Sequence, residues 1–397
     1  MNILQNGTVM NNSDKIYLDY AATTPVDPKV LEAMQPYFSM YYGNASSLHS
    51  FGTKAKEMLD VSRGEIAKYI GASADEIYFT SGGTEANNMA LKGIAFANRA
   101  KGNHIIVSAI EHDCILNTCR WLQKEGFVVS WLPVDHQGIA DAGQLENLIT
   151  PQTILVSVMY ANNELGTIQP VAEIGEICRK KNIPFHSDAC QAFGKIPIDV
   201  RKDKIDMLTI NSHKIYGPKG VGALYIRKGI HVVPLLHGGG QESGMRSSTE
   251  NIPGIAGFSA AAGLCYNEME KEARREIQLK QQLIAFMTSG FDDFYMNGNP
   301  AKSLPGYLNF SFHGLEGETI RLLLLLDENG IAVSAGSACS SNSRENASHV
   351  LQAIGLNQFE ARGGIRVSLG RFTTSNDIEI LCKTVKKAVK QLNPIFS

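Results

Sequence analysis

Short apolar runs alternate with amphipathic stretches from about residue 60 to about residue 230. Ile77 to Thr80 reads as a strand leading into a helix from about Glu85, and His104 to Ser108 as a strand before a helix near Asp113. Phe127 to Leu132, Ile154 to Met159 and Pro184 to Ser187 continue the series, with helices near Gly143 to Ile149 and Pro170 to Lys181 between them. Asp206 to Ile210 is a further strand-like run. This alternation predicts an α/β fold with a mainly parallel sheet flanked by helices. Ligands of such sheets bind outside the carboxyl ends of the strands, so residues just after a strand are the first candidates for chemistry.

Past this region the pattern changes. A long helical stretch runs from about Gly254 to Ser289, followed by Tyr307 to Phe312, a helix near Glu318 to Glu328, and Ile365 to Leu369. Thr374 to Asp377 has the spacing of a capping box, and Ile378, Leu381, Val385, Ala388 and Leu392 then recur at helical intervals. A smaller α+β C-terminal domain is expected, with boundaries at 15–260 for the large domain and 261–397, joined by 1–14, for the small one.

Composition narrows the function class. Of 397 residues, 44% are hydrophobic and 19% charged, as in an ordinary soluble protein, and the net charge of −2 gives no footprint for nucleic acid or a membrane surface. The longest leucine run, Leu322 to Leu326, is bracketed by Arg321 and Asp327 and is far too short to span a bilayer. The polar, Asn-rich stretch from Met1 to Asp14 lacks the apolar core of a signal peptide. Seven cysteines without framework spacing point to a reducing compartment, so a cytoplasmic location is expected, and no metal-ligand spacing is present.

Lys214 carries the most chemical information. It follows the run Met207 to Ile210 and precedes Ile215-Tyr216-Gly217-Pro218. A lysine at a buried strand end needs either a stem that packs while its ammonium reaches water, or a task for the amine. The task that fits is a Schiff base with the aldehyde of pyridoxal 5′-phosphate (PLP). Other positions supply the rest of such a site. Ser81-Gly82-Gly83-Thr84-Glu85, between a strand and a helix, suits a phosphate, although taken alone it reads more readily as a tight turn with Thr84 as a helix cap. His112 is positioned to lie on the ring face, its plainer role being a surface or capping residue. Asp188, at the end of another strand, suits a protonated ring nitrogen, with a helix N-cap as the alternative. The amides of Asn162, Asn163 and Gln191 suit the phenolic oxygen or a substrate carboxylate, or serve as turn residues.

With these positions in place, the chain resembles the cysteine desulfurases of the iron–sulfur-assembly type, in the class V aminotransferase group of fold-type I PLP enzymes. The resemblance runs from Tyr17-Leu18-Asp19-Tyr20-Ala21-Ala22 to Arg366-Val367-Ser368-Leu369-Gly370-Arg371. It includes Glu111-His112, Asn162-Asn163-Glu164, His186-Ser187-Asp188-Ala189, His213-Lys214 and Gly336-Ser337-Ala338-Cys339. It implies phosphate contacts from Gly83, Thr84 and His213, ring stacking by His112, and Asn163 near the phenolic oxygen and the substrate. It further implies Asp188 at the ring nitrogen, Gln191 at the phenolic oxygen and Lys214 as the Schiff-base lysine. Thr249, in Gly244-Met245-Arg246-Ser247-Ser248-Thr249, would reach the phosphate of a second subunit, which implies a homodimer. Arg366 would clamp the substrate carboxylate. Asn211 stands where the family usually has serine or threonine, and its amide retains a donor for phosphate. Cys190 replaces a small non-thiol residue and reads as a small buried hydrophobe. Ser340 to Asn346 departs from the commonest loop, leaving the sulfur acceptor open.

The resemblance implies removal of sulfur from L-cysteine to leave L-alanine and a persulfide on Cys339, passed on to an acceptor such as an iron–sulfur scaffold protein. Cys339 lies in a small, polar, Gly-containing sequence, typical of a surface loop. The alternatives are a selenocysteine lyase, a class V aminotransferase, or a sulfur-trafficking scaffold without activity. A transaminase has no need of Cys339, and a scaffold has none of Lys214.

Overall fold

The computed structural model describes residues 15–335 and 347–392. The first part contains β1 (Ile16–Tyr17), α1 (Pro28–Met34), α2 (Pro36–Ser39) and α3 (Ser50–Tyr69). It continues through β2 (Ile77–Thr80), α4 (Gly83–Ala97), β3 (His104–Ser108), α5 (Asp113–Lys124) and β4 (Val128–Leu132). Next come α6 (Ala142–Leu148), β5 (Thr153–Ser157), α7 (Val171–Lys181), β6 (Phe185–Asp188), β7 (Met207–Asn211) and β8 (Gly222–Ile226). The remainder comprises α8 (Ile252–Gly290), β9 (Phe294–Met296), β10 (Tyr307–Phe312), α9 (Thr319–Glu328), β11 (Ile331–Ala332), β12 (Ser334–Ala335), α10 (His349–Ala353), β13 (Ile365–Ser368) and α11 (Ser375–Leu392).

Seven strands form the central sheet in the order β2-β8-β7-β6-β5-β3-β4. Pairs from β7 through β4 are parallel, and β8 runs antiparallel to both neighbours. The mainly parallel sheet expected from the alternation is present, and β8 is the strand the pattern did not single out. Its sequence, Gly-Ala-Leu-Tyr-Ile, is buried throughout and carries no alternation. Side chains leave the sheet in alternation. Ile106, Leu208, Ala223 and Tyr225 join the core shared with α1, α3, α7 and α8. Ile105, Val107, Met207, Leu224 and Ile226 join the core shared with α4 and α5. Both faces are therefore covered, which explains why the central strands read as unbroken apolar runs.

The antiparallel sheet β12-β13-β10-β9 packs on α8, α9 and α11 around Leu283, Phe310, Leu326 and Leu381. Leu18 belongs to this core, and β1 pairs in parallel with β11. The 39-residue helix α8 serves both cores, with Ile255, Phe258 and Ala262 on one side and Leu279, Leu283 and Met287 on the other. The boundary at 260/261 falls inside this continuous helix. Residues 1–14 lie outside the described residues. Helix α11 opens as the capping pattern predicts: Thr374 Oγ1 accepts from the Asp377 amide at 3.2 Å and Asp377 Oδ2 from the Thr374 amide at 2.8 Å.

Candidate active site

The strand order reverses around β3, whose successor β4 lies on one side and whose next partner β5 on the other. A crevice opens at the carboxyl ends of strands at such a switch point. His112 follows β3, Asn162 and Asn163 follow β5, Asp188 ends β6, and Lys214 lies just beyond β7. Asp188 pairs in register with Thr209 of β7, so the carboxylate and the lysine turn sit on adjacent strand ends.

The Lys214 turn is locked by the N-terminal segment. Thr24 donates its amide and its hydroxyl to the His213 carbonyl, both at 2.9 Å, and accepts from the Tyr216 amide at 2.8 Å. Tyr216 is held at φ 66°, a left-handed conformation disfavoured for a bulky residue. The Asp27 amide on its carbonyl (2.9 Å) and the Arg371 amide on its hydroxyl (2.6 Å) hold it there. Lys214 Nζ donates to the Ala21 carbonyl at 2.7 Å. Burial, with Arg366 and Lys195 nearby, pulls its amine down to about 8 against the opposing pull of Cys190 and Asp188.

Asp188 is held from two sides: Oδ2 accepts from Asn87 Nδ2 at 2.7 Å, and Oδ1 accepts from the Cys190 amide at 2.8 Å. It closes a turn and does not cap a helix. His112 does cap α5, with Nδ1 accepting from the Cys114 amide at 3.2 Å. That bond places the ring proton on Nε2, and burial lowers the ring's proton affinity. Glu111, fully enclosed, accepts from the Met159 amide at 2.5 Å, and burial with the Asp188 charge pushes its carboxyl well up.

The phosphate end is glycine-dependent. Helix α4 starts at Gly83, two residues earlier than expected, so Gly82 caps it and Thr84 lies within its first turn, exposed. A Cβ on Gly83 would lie 2.7 Å from Cys190 Sγ, which fills the space behind the turn as a small buried hydrophobe. Asn211 Nδ2 lies 3.3 Å from His213 Nε2, and Asn211 Oδ1 is buried without a partner. Burial and the Lys214 charge bring His213 down to about 4. Thr249 is exposed on the single chain. Its segment is tied to α4 by Arg246 Nε on Glu85 Oε1 at 2.7 Å.

Asn163 and Arg366 meet through the Asn163 carbonyl, which accepts from Arg366 at 2.9 Å. Arg366, 3% exposed on β13, also donates to Asp19 Oδ1 at 2.7 Å, while its Nε is buried without a partner. Asn162 is spent within the turn, donating to the Ile110 carbonyl and accepting from Glu164 and Leu165 amides. Gln191 Nε2 donates to the Ala21 carbonyl at 3.0 Å, beside Lys214.

Cys339 lies outside the described residues. The chain entering and leaving its segment is anchored at the crevice. Ser334 pairs in register with Arg366, Ser348 donates to Glu164 at 2.6 Å, and His349 bonds the Glu111 carbonyl at 3.0 Å. Sequence reasoning missed Asn87, Tyr307, His349 and the Ala21 carbonyl. Asn87 lies on the inner face of a helix, which periodicity marks as core, and the other three act through contacts distant in sequence.

The donor set fits PLP. It offers a buried amine of lowered proton affinity, a carboxylate on the adjacent strand end, a glycine-opened helix N-terminus and an unpaired guanidinium nitrogen. The comparisons agree. The family model described as Aminotransferase class-V matches residues 16–381. The chain belongs to that family, and it is a PLP enzyme. "Cysteine desulfurase IscS" of Clostridium botulinum is 50% identical over 379 residues, 95% of each chain. The solved "NIFS-LIKE PROTEIN" superposes with a TM-score of 0.88 at 38% identity, over 95% of this chain and 100% of that one. "SspA in complex with cysteine" does so with a TM-score of 0.79 at 39% identity, over 90% and 100%.

Proposed function

We propose that this chain is a PLP-dependent cysteine desulfurase that converts L-cysteine into L-alanine and leaves the sulfur as a persulfide on Cys339. The carrying observation is the Lys214 amine, lowered to about 8 and held beside Asp188 on the neighbouring strand end. The near-full-length likeness to proteins named cysteine desulfurase supports the choice of substrate. PLP, when bound, supplies an electron sink for negative charge at the substrate α-carbon.

The chain's own groups provide the rest. Gly83, Thr84, Asn211 and His213 would hold the phosphate, Asp188 would pair with the ring nitrogen, and Gln191 and Asn163 would bond the phenolic oxygen. Arg366 takes the substrate carboxylate through its open Nε and through donors now shared with Asp19 and Asn163. Lys214, once its amine is free, would remove the α-proton, and His112, neutral and protonated on Nε2, would hold or pass a proton at that atom. The Cys339 thiolate takes the substrate sulfur. Overall, one C–S bond and one thiol S–H are exchanged for a C–H bond and an S–S bond, with L-cysteine and thiol becoming L-alanine and persulfide. Cys339 follows Ala335 by four residues, a reach of about 13 Å from a strand paired with Arg366.

The same reading includes a homodimer in the cytoplasm and an acceptor protein such as an iron–sulfur scaffold. Phe38, Tyr42, Leu48 and Phe51 are exposed on the single chain, with the Tyr42 and Phe51 rings 5.6 Å apart, apolar area that a second copy would cover. Six free cysteines among the described residues agree with a reducing compartment. Incubation with labelled L-cysteine followed by peptide mass spectrometry tests the assignment. Label is expected on Cys339, with alanine released; Cys339→Ser is expected to lose sulfide production and keep the visible absorbance. Undiminished sulfide from that variant would overturn the proposal.

A further inference from the structure

A buried polar chain runs behind Gln191 toward helix α8. Lys195 Nζ donates to the Gln191 carbonyl at 3.1 Å and to the Tyr307 hydroxyl at 3.4 Å. The Tyr307 hydroxyl bonds Gln191 Oε1, and Gln191 Nε2 donates to Ala21 O, the carbonyl that also receives Lys214. Tyr307 and Gln191 are both buried. Lys195 and Lys214, together with Glu276 and Arg371, line a cavity of about 30 Å³ on the α8 side, room for about one water.

Burial pulls the Lys195 amine down to about 8 against the pull of Glu276, Cys265 and Cys190. Below that pH it is an ammonium and only donates, so the tyrosine oxygen accepts from Lys195 and its hydrogen goes to Gln191. A backbone carbonyl only accepts, so Ala21 takes an N–H. Both ends demand the same sense of the Gln191 amide: Ala21 fixes which end is Nε2, and the Tyr307 hydroxyl holds Oε1 in place behind it. One Nε2 hydrogen remains after Ala21 is served, and the carbonyl it leaves is the one that also receives Lys214.

We infer that Tyr307 and Lys195 are positioning residues that lock the Gln191 amide so that it offers a donor, and never its carbonyl, to the cofactor's phenolic oxygen. The inference rests on the reading of Gln191 as the partner of that oxygen. A donor there stabilises negative charge on the oxygen and so lowers the pH at which the yellow chromophore of the loaded protein gives up its proton. An amide that has lost the Tyr307 hydroxyl keeps only its Ala21 bond, holds its donor on the phenolic oxygen less firmly, and raises that pH.

The test is a pH titration of the visible absorbance of the PLP-loaded protein and three variants. Tyr307→Phe is expected to raise the midpoint by about one pH unit, the scale of one hydrogen bond to a charged acceptor. Lys195→Met is expected to move it the same way by less, because the tyrosine hydrogen is then free to turn. Gln191→Leu is expected to raise it at least as far as Tyr307→Phe. A midpoint unmoved in Tyr307→Phe but raised in Gln191→Leu overturns the lock alone. A midpoint unmoved in Gln191→Leu overturns the placement of Gln191 at the phenolic oxygen, and the lock with it. Thermal melting accompanies each variant; should Tyr307→Phe fail to fold, Lys195→Met decides, and an unchanged midpoint there rejects the lock.

Discussion

Lys214 combines a partly exposed side chain with an amine that burial pulls from 10.5 down to about 8. In the cofactor-free protein this group binds fewer protons when folded than when unfolded between those two values, so its contribution to stability rises as pH increases from about 8 to 10.5. The same shift makes the amine nucleophilic at mild pH. Competitive acylation of the cofactor-free protein, read at Lys214 by mass spectrometry, is expected to give a reactivity midpoint near 8, not near the ordinary lysine value. At this scale the sequence was informative where one residue has one task. That Asp188 and the Lys214 turn stand at adjacent strand ends was legible from position. Asn87, which braces Asp188 at 2.7 Å, was not, because a buried asparagine on a helix reveals its partner only when the helix is docked.

At the scale of elements, the 3-residue turn Glu242–Gly244 shows how a loop is held beside the site. Glu242 is buried and accepts from Arg63 through both oxygens at 2.7 Å and from the Phe79 amide at 2.7 Å, tying the turn to α3 and β2. Both Glu242 and Ser243 have positive φ, a conformation that persists because these bonds over-determine it. Removing Arg63 leaves a buried carboxylate with one donor. Arg63→Ala is expected to destabilise the protein by about 3–5 kcal/mol, measured by urea unfolding. Strands with clear apolar runs between turn signals, such as β2, β3 and β10, were readable to the residue. The start of α4 was not: glycine is a poor helix former, and it stands at the first position because a Cβ there would lie 2.7 Å from Cys190 Sγ, a contact visible only after folding.

At the scale of the whole molecule, segments from opposite ends of the described chain meet. Asp19, near the start, accepts from Arg366, near the end, and the Asp27 carboxylate accepts from Arg371 at 2.8 Å. The second contact ties the turn after β13 to the N-cap of α1, a helix packed in the core of the large sheet. The proposed dimer belongs to this scale too. Thr249 is exposed on the single chain, so Thr249→Ala is expected to leave monomer packing intact and weaken PLP binding about 10-fold, the scale of one hydrogen bond to a charged group. Equilibrium dialysis checks the affinity, and sedimentation velocity at micromolar concentration is expected to show a dimer for both proteins. A monomeric parent protein, or a variant with unchanged affinity, would remove Thr249 from the site.

The alternation of apolar runs and amphipathic stretches by itself determined the layered sheet, because burying both faces leaves that pattern in the chain. The order of chemical residues along it determined the class of reaction, since a lysine, a carboxylate and a glycine turn at successive strand ends have few joint uses. Tertiary structure decided what spacing does not encode: that Ala21 is the shared acceptor of Lys214 and Gln191, that Tyr307 reaches back to Gln191, and that Asp19 faces Arg366. These are bonds between segments more than 100 residues apart, and their geometry exists only once separate cores have packed against one helix.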